Sequence, residues 1–308
     1  KMKEKIFLFA LLMFVATVWS NRVLLVFAVK GFVDGPPALY EKSDEPQHVK
    51  WFDDYFTVEY IDGKTIAIGE PRYWQVNYNY LILGDERAIL FDSGPGLKDI
   101  KPVIASLTDL PVTVVASHLH YDHVGNHDRF ASVAMLDVPS TRARATENRL
   151  KISSMQHLGF LENVKNPVLN VSEWWQPNTH IDLGGRTLKI LNAPGHTPDS
   201  LMLWDERRNL LFAGDYIYDG LLYAMLPGSD LDDYEHTAAR LLSIINDTTR
   251  LLTAHRESTS GAPILAHDDL LDLYQALQKI NRGELKGEGW FSKTYKINQR
   301  LSLASDQY

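Results

Sequence analysis

The stretch SHLHYDHVGN, residues 117–126, concentrates side chains that bind metals. It places three imidazoles and one carboxylate within six positions, at His118, His120, Asp122 and His123. The apolar run PVTVVAS precedes them and predicts a strand that ends where the cluster begins. His118 and His120 are two apart, so extended backbone points both the same way, whereas Asp122 and His123 turn toward a neighbouring point. The spacing suits two adjacent metal ions, and these donors suit zinc, iron or manganese.

The composition narrows the chemistry that this cluster can do. The chain has 308 residues, 45% hydrophobic and 23% charged, a balance typical of a globular protein with a large core. The net charge is −8, and a nucleic-acid binder needs a basic face, so we expect no nucleic-acid partner. The chain has no cysteine, which excludes disulfides, thiolate metal sites and cysteine nucleophiles. Any metal must therefore be held by nitrogen and oxygen.

The N-terminal segment, residues 1–32, differs from the rest of the chain. Three lysines within the first five residues precede an apolar run, Ile6–Val29, which only Ser20–Arg22 interrupts. As one helix this run would be about 36 Å long, enough to span a bilayer; alternatively, Ile6–Trp19 is the apolar part of a cleaved secretory signal. We favour a hydrophobic transmembrane helix that anchors the protein. The lysines favour the cytoplasmic side, so the globular part would lie outside the cytoplasm, on the periplasmic side or secreted.

Strand and turn patterns organise the remainder. Residues 33–55 are rich in proline, glycine and charge and predict a linker. From residue 56, short strands first pair as hairpins, with turns at Asp62-Gly63 and Gly84-Asp85, and then alternate with helices. Helical spacing occurs in 97–107, 139–164, 232–245 and 268–280. We therefore expect one domain over 56–308, built of two packed mixed sheets with helices outside.

Three further motifs flank the histidine cluster. LFDSG at 90–94 precedes it, and APGHTPDS at 193–200 and LFAGD at 211–215 follow it. Together with H-x-H-x-D-H, these motifs resemble those of the metallo-β-lactamase fold superfamily, over about Phe56 to Ile280. FAGDYIYDG resembles the branch that contains glyoxalase II-like thioesterases, lactonases and acyl-CoA hydrolases. The resemblance implies an α+β fold, a four-layer αββα sandwich, to which this chain adds its N-terminal hydrophobic helix.

The resemblance also implies a set of ligands for two divalent ions, most commonly Zn²⁺, with iron or manganese as alternatives. The implied ligands are His118, His120 and His196 for one ion, Asp122, His123 and a final histidine for the other, and Asp215 as the bridge between them.

The final histidine has two candidates in the sequence. His255 follows the apolar run RLLTA, as the last ligand of the family follows a strand, whereas His267 begins a predicted helix. We expect His255 to be the ligand. The family usually has glycine directly before this histidine, and here the residue is Ala254.

The activity that the resemblance implies is hydrolysis of an ester, thioester or lactone. A hydroxide held between the two ions would attack the carbonyl, since a metal lowers the pKa of bound water to about 7. Asp122 is expected to help move the proton. Tyr218, three positions after Asp215, is expected to hydrogen-bond the substrate carbonyl, as in lactonase-like relatives. Asp92 is expected to orient a ligand histidine.

Side chains outside the motifs bear on the substrate. Met155, Phe160 and Leu161 are candidates for an apolar lid, and Asn79 and Trp74 are candidates to line the pocket. Together with the predicted membrane anchor, the candidate lid favours a small-molecule acyl substrate with a hydrophobic chain that arrives from the bilayer.

Two other functional classes remain open. Asp215 stands where cysteine-bearing β-lactamases need cysteine, and His120 stands where flavodiiron oxidoreductases have glutamate, so both are disfavoured. A persulfide dioxygenase-like oxidoreductase would hold a single iron at His118, His120 and His196. A membrane-tethered scaffold of the same fold would do no chemistry. The number and identity of the bound metals would separate these classes.

Overall fold

The computed structural model describes residues 39–257, 260–290 and 292–307. The strands of this part of the chain are β1 (Lys50–Trp51), β2 (Thr57–Asp62), β3 (Thr65–Glu70), β4 (Asn77–Leu83), β5 (Ala88–Phe91), β6 (Val112–Val115), β7 (Ser132–Leu136), β8 (Ala145–Thr146), β9 (Arg149–Lys151), β10 (Val168–Asn170), β11 (Glu173–Trp175), β12 (His180–Asp182), β13 (Thr187–Asn192), β14 (Leu201–Asp205), β15 (Leu210–Gly214), β16 (Gly220–Ala224), β17 (Arg250–Thr253), β18 (Ile264–Ala266), β19 (Lys293–Lys296) and β20 (Leu301–Ser305).

The helices of the described residues are α1 (Lys101–Leu107), α2 (Tyr121–Val124), α3 (Pro139–Arg142), α4 (Ser154–His157), α5 (Leu231–Leu242) and α6 (His267–Asn281). Short 3₁₀ turns occupy Lys42–Asp44, His127–Arg129 and Gly159–Leu161.

Two large sheets dominate the described structure. The first has the strand order β1-β2-β3-β4-β5-β6-β7-β11, and the second has the order β12-β13-β14-β15-β17-β18. Two three-stranded sheets, β10-β9-β8 and β16-β20-β19, complete the set. Both predicted hairpins form: β2 pairs antiparallel with β3 around Asp62-Gly63, and β4 pairs antiparallel with β5 around Gly84-Asp85.

The direction of the parallel strands determines where the loops that carry the sequence motifs leave each sheet. In the first sheet β5, β6 and β7 run parallel, and in the second β15 runs parallel to β17. β13 is antiparallel to β14, which is antiparallel to β15, so β13 and β15 run in the same direction. Parallel strands have their carboxyl ends on the same side of a sheet. In the first sheet the loops after β5 and β6 therefore emerge at one end of the strands, and in the second sheet so do the loops after β13, β15 and β17.

Apolar side chains from both large sheets form the central layer of the core. The rings of Tyr80 and Phe91 of the first sheet lie 5.6 and 6.0 Å from the ring of Phe212 in the second. The Tyr80 hydroxyl crosses the layer and donates to the carbonyl of Thr253 at 2.7 Å. Aromatic contacts of this kind add to the free energy gained by burying the apolar surface. They hold the two sheets face to face.

Helices cover the outer faces of both sheets. α1 packs Val103 and Ile104 against the first sheet, while α5 and α6 bury apolar faces at helical spacing against the second. Asp230 caps α5 by accepting a hydrogen bond from the backbone of Asp233 at 2.9 Å. This arrangement confirms the predicted αββα sandwich.

Two predictions about the organisation of the chain are corrected by the structure. The segment 139–164 is not a long helix, because the hairpin of β8 and β9 separates α3 from α4 and buries Leu150 beside Leu169 of β10. The transmembrane helix and the membrane-anchored location are also contradicted. In the part of the chain that the structure describes, no helix is both long and apolar enough to cross a bilayer. The segment Ile6–Val29, on which that prediction depended, lies outside the described residues.

The predicted linker, 33–55, is described from residue 39 onward. β1 pairs antiparallel with β2, so this part adds a strand to the first sheet. Glu45 is buried and forms an ion pair with the buried guanidinium of Arg256. The domain boundary at residue 55 stays a prediction.

Candidate metal centre

The motif loops meet at the edge shared by the two sheets. His118 and His120 follow β6, and Asp122 and His123 lie on α2, which begins directly after His120. His120 has extended backbone (φ −66°, ψ 153°), whereas the next residues are helical. The chain thus points the first two imidazoles one way and turns the next two groups elsewhere, as the spacing predicts.

Three imidazoles form the first group, which consists of His118, His120 and His196. His118 Nε2 lies 2.7 Å from His120 Nδ1, and His196 Nε2 lies 3.1 Å from the same atom. One nitrogen from each ring lies within 4.8 Å of the others. All three side chains are buried. The structure therefore brings together the three residues implied for the first ion.

Asp122, His123 and His255 form the second group. Asp122 Oδ2 lies 3.2 Å from His123 Nε2 and 3.4 Å from His255 Nε2. Among the described residues, His267 joins neither this group nor any other candidate metal group; it begins α6 with its ring 3.3 Å from Asp268. His255 reaches the centre although Ala254 precedes it.

Asp215 lies between the two groups. Its Oδ1 is 3.4 Å from His123 Nε2 and 3.2 Å from His255 Nε2, and its Oδ2 is 3.8 Å from His196 Nε2. It follows Gly214, whose φ of +54° belongs to the left-handed region, and a Cβ at that glycine would lie 2.5 Å from Ser117 Cβ. Glycine at 214 thus lets the end of β15 approach the metal-binding loop closely.

Asp92 links the first sheet to the second group. Its Oδ2 lies 3.0 Å from His123 Nδ1, and its Oδ1 accepts from the backbone N–H of Ser117 at 2.5 Å. Its φ of +66° is left-handed, a conformation that aspartate tolerates better than most residues. Asp92 therefore has the contacts expected of a residue that orients a ligand histidine.

The outer nitrogens of three further rings have fixed partners. His196 Nδ1 lies 3.0 Å from the carbonyl oxygen of Tyr223, and His255 Nδ1 lies 2.9 Å from that of Gln75. A carbonyl only accepts, so Nδ1 of both rings carries a proton, and Nε2 is the ring atom that faces the centre. His118 Nδ1 lies 3.0 Å from Ser117 Oγ.

Burial makes the first group neutral. Removal from water lowers the pKa of His120 to about 3, with the neighbouring imidazole of His196 adding to the effect. Burial is also the largest cause that holds the pKa of His118 well below its usual value and lowers the pKa of His196. At neutral pH these rings are unprotonated, the form that binds a metal ion.

The second group carries charge. Burial opposes the protonated form of His255, but the carboxylates of Asp215 and Asp122 outweigh it and raise the pKa of His255 to about 10. The pKa of His123 is likewise raised well above its usual value against the effect of burial. Burial disfavours ionised carboxyls, yet these two imidazoles hold the pKa of Asp122 and of Asp215 well below their usual values.

The donor set fits divalent cations. Nε2 of His120 is buried and makes no hydrogen bond within the described structure. Buried polar atoms are rarely left in that state without a partner. Imidazole nitrogens and carboxylate oxygens at this spacing are ligands for zinc and for other transition ions. The two groups and Asp215 are thus compatible with a metal site.

Several supporting residues could not be found from sequence. Asn77 donates from Nδ2 to the backbone oxygen of Asp122 at 2.8 Å and to its Oδ2 at 3.2 Å. Asp199 accepts from the backbone N–H of Leu119 at 3.1 Å. Asn77 alternates with buried aromatic residues in β4 and Asp199 sits in a polar turn, so neither has a spacing signal that distinguishes it.

Other predicted residues lie near the centre with different partners. The ring of Tyr218 packs edge-on against His255, with centroids 5.2 Å apart, and its hydroxyl donates to the carbonyl of Leu221 at 2.5 Å. Asn79 is buried and donates to Glu70 at 2.9 Å. Trp74 is partly exposed, and its indole N–H donates to Glu162 at 2.6 Å.

Comparison with known proteins identifies the class. Residues 72–255 match the family model described as Metallo-beta-lactamase superfamily. The chain belongs to that superfamily, which confirms the resemblance found in its motifs.

Individual relatives extend this assignment. The human protein named acyl-coenzyme A thioesterase MBLAC2 is 30% identical over 195 residues, which cover 54% of this chain and 67% of that protein. The hydroxyacylglutathione hydrolase of Psychromonas ingrahamii is 25% identical over 237 residues, covering 75% and 82%. A solved metallo-beta-lactamase from Pontibacter korlensis aligns with a TM-score of 0.53 at 18% identity, over 72% of this chain and 99% of that one, and shares the fold. The family, the human thioesterase and the Psychromonas hydrolase support a hydrolase.

Proposed function

We propose that this protein is a hydrolase with two metal ions that cleaves an acyl ester, thioester or lactone. The observation that carries the proposal is the meeting of two ligand groups on either side of Asp215, at the edge where the motif loops emerge. A scaffold would have no need to keep such a set of buried ionisable groups together, since their removal from water is costly.

The residues of the two groups have distinct tasks in this proposal. His118, His120 and His196 would hold one cation, Asp122, His123 and His255 the other, and Asp215 would contact both. When bound, two divalent cations supply Lewis acidity and a water made acidic enough to act as a nucleophile at neutral pH. Zn²⁺ suits these donors best.

The protein's own groups handle the proton and the substrate. Asp122 is held by the amide of Asn77 with its Oδ2 toward the centre, so it is placed to take up a proton during attack on the carbonyl. Burial keeps the pKa of the Tyr218 phenol well above its usual value, so its hydroxyl remains a donor. We propose that this hydroxyl leaves the Leu221 carbonyl and donates to the substrate carbonyl.

Among the three bonds, we favour the thioester. The human relative and the Psychromonas relative are named for substrates in which an acyl group is carried on coenzyme A or on glutathione, both of which are thiols. A small-molecule acyl thioester is therefore the substrate class that we propose.

Metal analysis combined with a matched substrate panel tests the proposal. The metal content of the protein as purified is measured by mass spectrometry, and the protein is then assayed, with and without added Zn²⁺, with a thioester, an oxygen ester and a lactone that share one acyl group. We expect two ions per chain and the highest kcat/KM for the thioester. One iron per chain with oxygen consumption would instead support the single-iron oxidoreductase. Two bound ions without turnover of any substrate would contradict the hydrolase.

A further inference from the structure

The segment 153–164, here called the strap, is linked to the metal-binding loop directly through Glu162 and indirectly through Gln156, which contacts Asp199. It contains α4 and the 3₁₀ turn Gly159–Leu161. We propose that the strap positions the metal-binding loop, with Glu162 acting on the second ligand group and Gln156 acting on the first. The inference rests on the proposed function, because it assigns to the strap the task of setting the affinity for the two cations.

Glu162 is the first anchor of the strap. Its Oε1 accepts from the Tyr121 hydroxyl and from the Trp74 indole N–H, both at 2.6 Å, and the Tyr73 hydroxyl donates to the same carboxylate at 3.0 Å. Hydrogen bonds to a carboxylate are about twice as strong as those between neutral groups. Tyr121 lies between His120 and Asp122 in the sequence. This anchor therefore holds the metal-binding loop at a point between two of the predicted metal ligands.

Gln75 extends this anchor to the last ligand. Its Nε2 donates to the hydroxyl of Tyr121 at 2.7 Å and to that of Tyr73 at 2.9 Å. Its backbone oxygen accepts from Nδ1 of His255 at 2.9 Å. One connected set of hydrogen bonds therefore runs from Glu162 to Asp122's neighbour in the chain and to His255. Of the two endpoints, His255 belongs to the second ligand group, and Tyr121 directly precedes Asp122 of that group.

Gln156 is the second anchor, at the other end of the strap. Its Nε2 donates to Oδ1 of Asp199 at 3.0 Å, while Oδ2 of Asp199 accepts from the backbone N–H of Leu119 at 3.1 Å. Asp199 is 3% exposed. Leu119 lies between His118 and His120, so this anchor fixes the backbone that carries two ligands of the first group.

Polar contacts, rather than a large apolar core, hold the strap in place. Met155, Phe160 and Leu161 are 44%, 49% and 36% exposed. Leu158 packs into a small buried cluster with Tyr73 and Tyr121, and the partly buried Val164 packs against it. Removing either anchor should therefore loosen the strap. Outer partners of metal ligands change metal affinity when they are lost, because they fix the orientation of the ligand.

Zn²⁺ titration of the metal-free full-length protein tests this assignment. Isothermal titration is compared for wild type, Glu162→Gln, Glu162→Ala and Gln156→Ala, with Lys165→Ala beside the strap and Glu284→Gln at a surface ion pair as controls. We expect Glu162→Ala to weaken the second binding event roughly 10-fold and Gln156→Ala to weaken the first by a similar factor. Glu162→Gln, which keeps one acceptor oxygen, should have a smaller effect, and the controls none.

Hydrogen exchange gives a second, independent readout. Backbone amides of 153–164 should exchange faster in both anchor variants than in either control, while amides of β4 and β15 stay protected. Unchanged affinities in a variant whose strap exchanges faster would overturn the inference and leave the proposed function intact. A wild-type protein that binds no Zn²⁺ would instead remove the proposed function itself. If Glu162→Ala loses its near-ultraviolet circular dichroism, Glu162→Gln takes its place, and equal loss of both affinities in that variant would also overturn the assignment.

Discussion

The two ligand groups of the candidate metal centre differ in their charge although they lie side by side. The first consists of three imidazoles that burial keeps neutral, with the pKa of His120 lowered to about 3. The second mixes imidazoles with carboxylates, and its own Asp122 together with Asp215 raises the pKa of His255 to about 10. One group offers lone pairs at neutral pH, whereas the other holds protons and negative charges that compensate each other.

This difference predicts unequal behaviour toward cations. A cation that enters the first group meets free lone pairs and displaces no proton. A cation that enters the second must displace protons, but it then replaces them as the counter-charge of two buried carboxylates. The second group should therefore depend more strongly on pH and on the residues that fix its charges.

Removal of the Asp215 carboxylate should have the largest effect on metal binding and activity, since that carboxylate contacts both ligand groups. Asp215→Ala should lower kcat/KM by more than about 100-fold, because a direct ligand matters more than an outer partner, whose loss costs 10- to 100-fold in metal affinity or activity. The metal content should fall below that of the wild type. Asp85→Asn, at an exposed hairpin turn, is the control. Full activity with two bound ions in Asp215→Ala would exclude its bridging role.

Substitution of Asp92 should weaken metal binding mainly at the second ligand group. Asn at this position tolerates the left-handed backbone, but its amide cannot accept both from Ser117 N–H and from His123 Nδ1. We expect Asp92→Asn to weaken the second Zn²⁺ roughly 10- to 100-fold and the first much less. Asp92→Ala, which also disfavours the backbone conformation, separates the two effects. Equal weakening of both ions by Asp92→Asn would argue against the division into two groups.

Proton release should distinguish the groups at neutral pH. Because the pKa of His255 is raised to about 10, its ring is protonated below that pH in the metal-free protein, and metal binding displaces the proton. Affinity for the second ion should thus rise with pH, about 10-fold per unit for each proton released. Titration in buffers of different ionisation enthalpy measures this. His255→Ala should reduce the release, and a pH-independent second event would contradict the charge assignment.

The smallest effect is expected from Tyr218. Tyr218→Phe keeps the ring against His255 and removes only the hydroxyl, so metal content should match that of the wild type. Loss of one neutral hydrogen bond to the substrate should lower kcat by about 5-fold, since such a bond contributes roughly 1 kcal/mol and each 1.4 kcal/mol is tenfold. An unchanged kcat would confine Tyr218 to packing.

Local signals in the sequence predicted the fold and the meeting of the ligands. Alternating apolar residues around Asp62-Gly63 and Gly84-Asp85 indicate hairpins, because side-chain period and turn chemistry are both local. The motif histidines and aspartates could be assigned because their motifs resemble, in order, those of the metallo-β-lactamase superfamily. The segment 139–164 was predicted wrongly because its helical spacing competes with the pairing of Leu150 beside Leu169, which depends on a distant strand.

Contacts between distant residues could not be predicted from one sequence. The hydrogen bond from His255 to Gln75 joins positions 180 apart, and that from Tyr73 to Glu162 joins positions 89 apart. Neither partner has a residue type or spacing that marks it. Such supporting residues depend on how the sheets pack, so they become visible only when the fold is known.

The buried pair of Glu45 and Arg256 has a practical consequence for shortening the chain. Arg256 directly follows His255, stacks on Tyr40 and Tyr78 at 4.7 and 5.4 Å, and takes its carboxylate partner from the region predicted as a linker. A version of the protein that begins at Phe56 would lack Glu45, so the buried guanidinium of Arg256 would have no carboxylate partner. We expect such a fragment to precipitate or to bind metal ions more weakly, so expression trials should start ahead of Leu39.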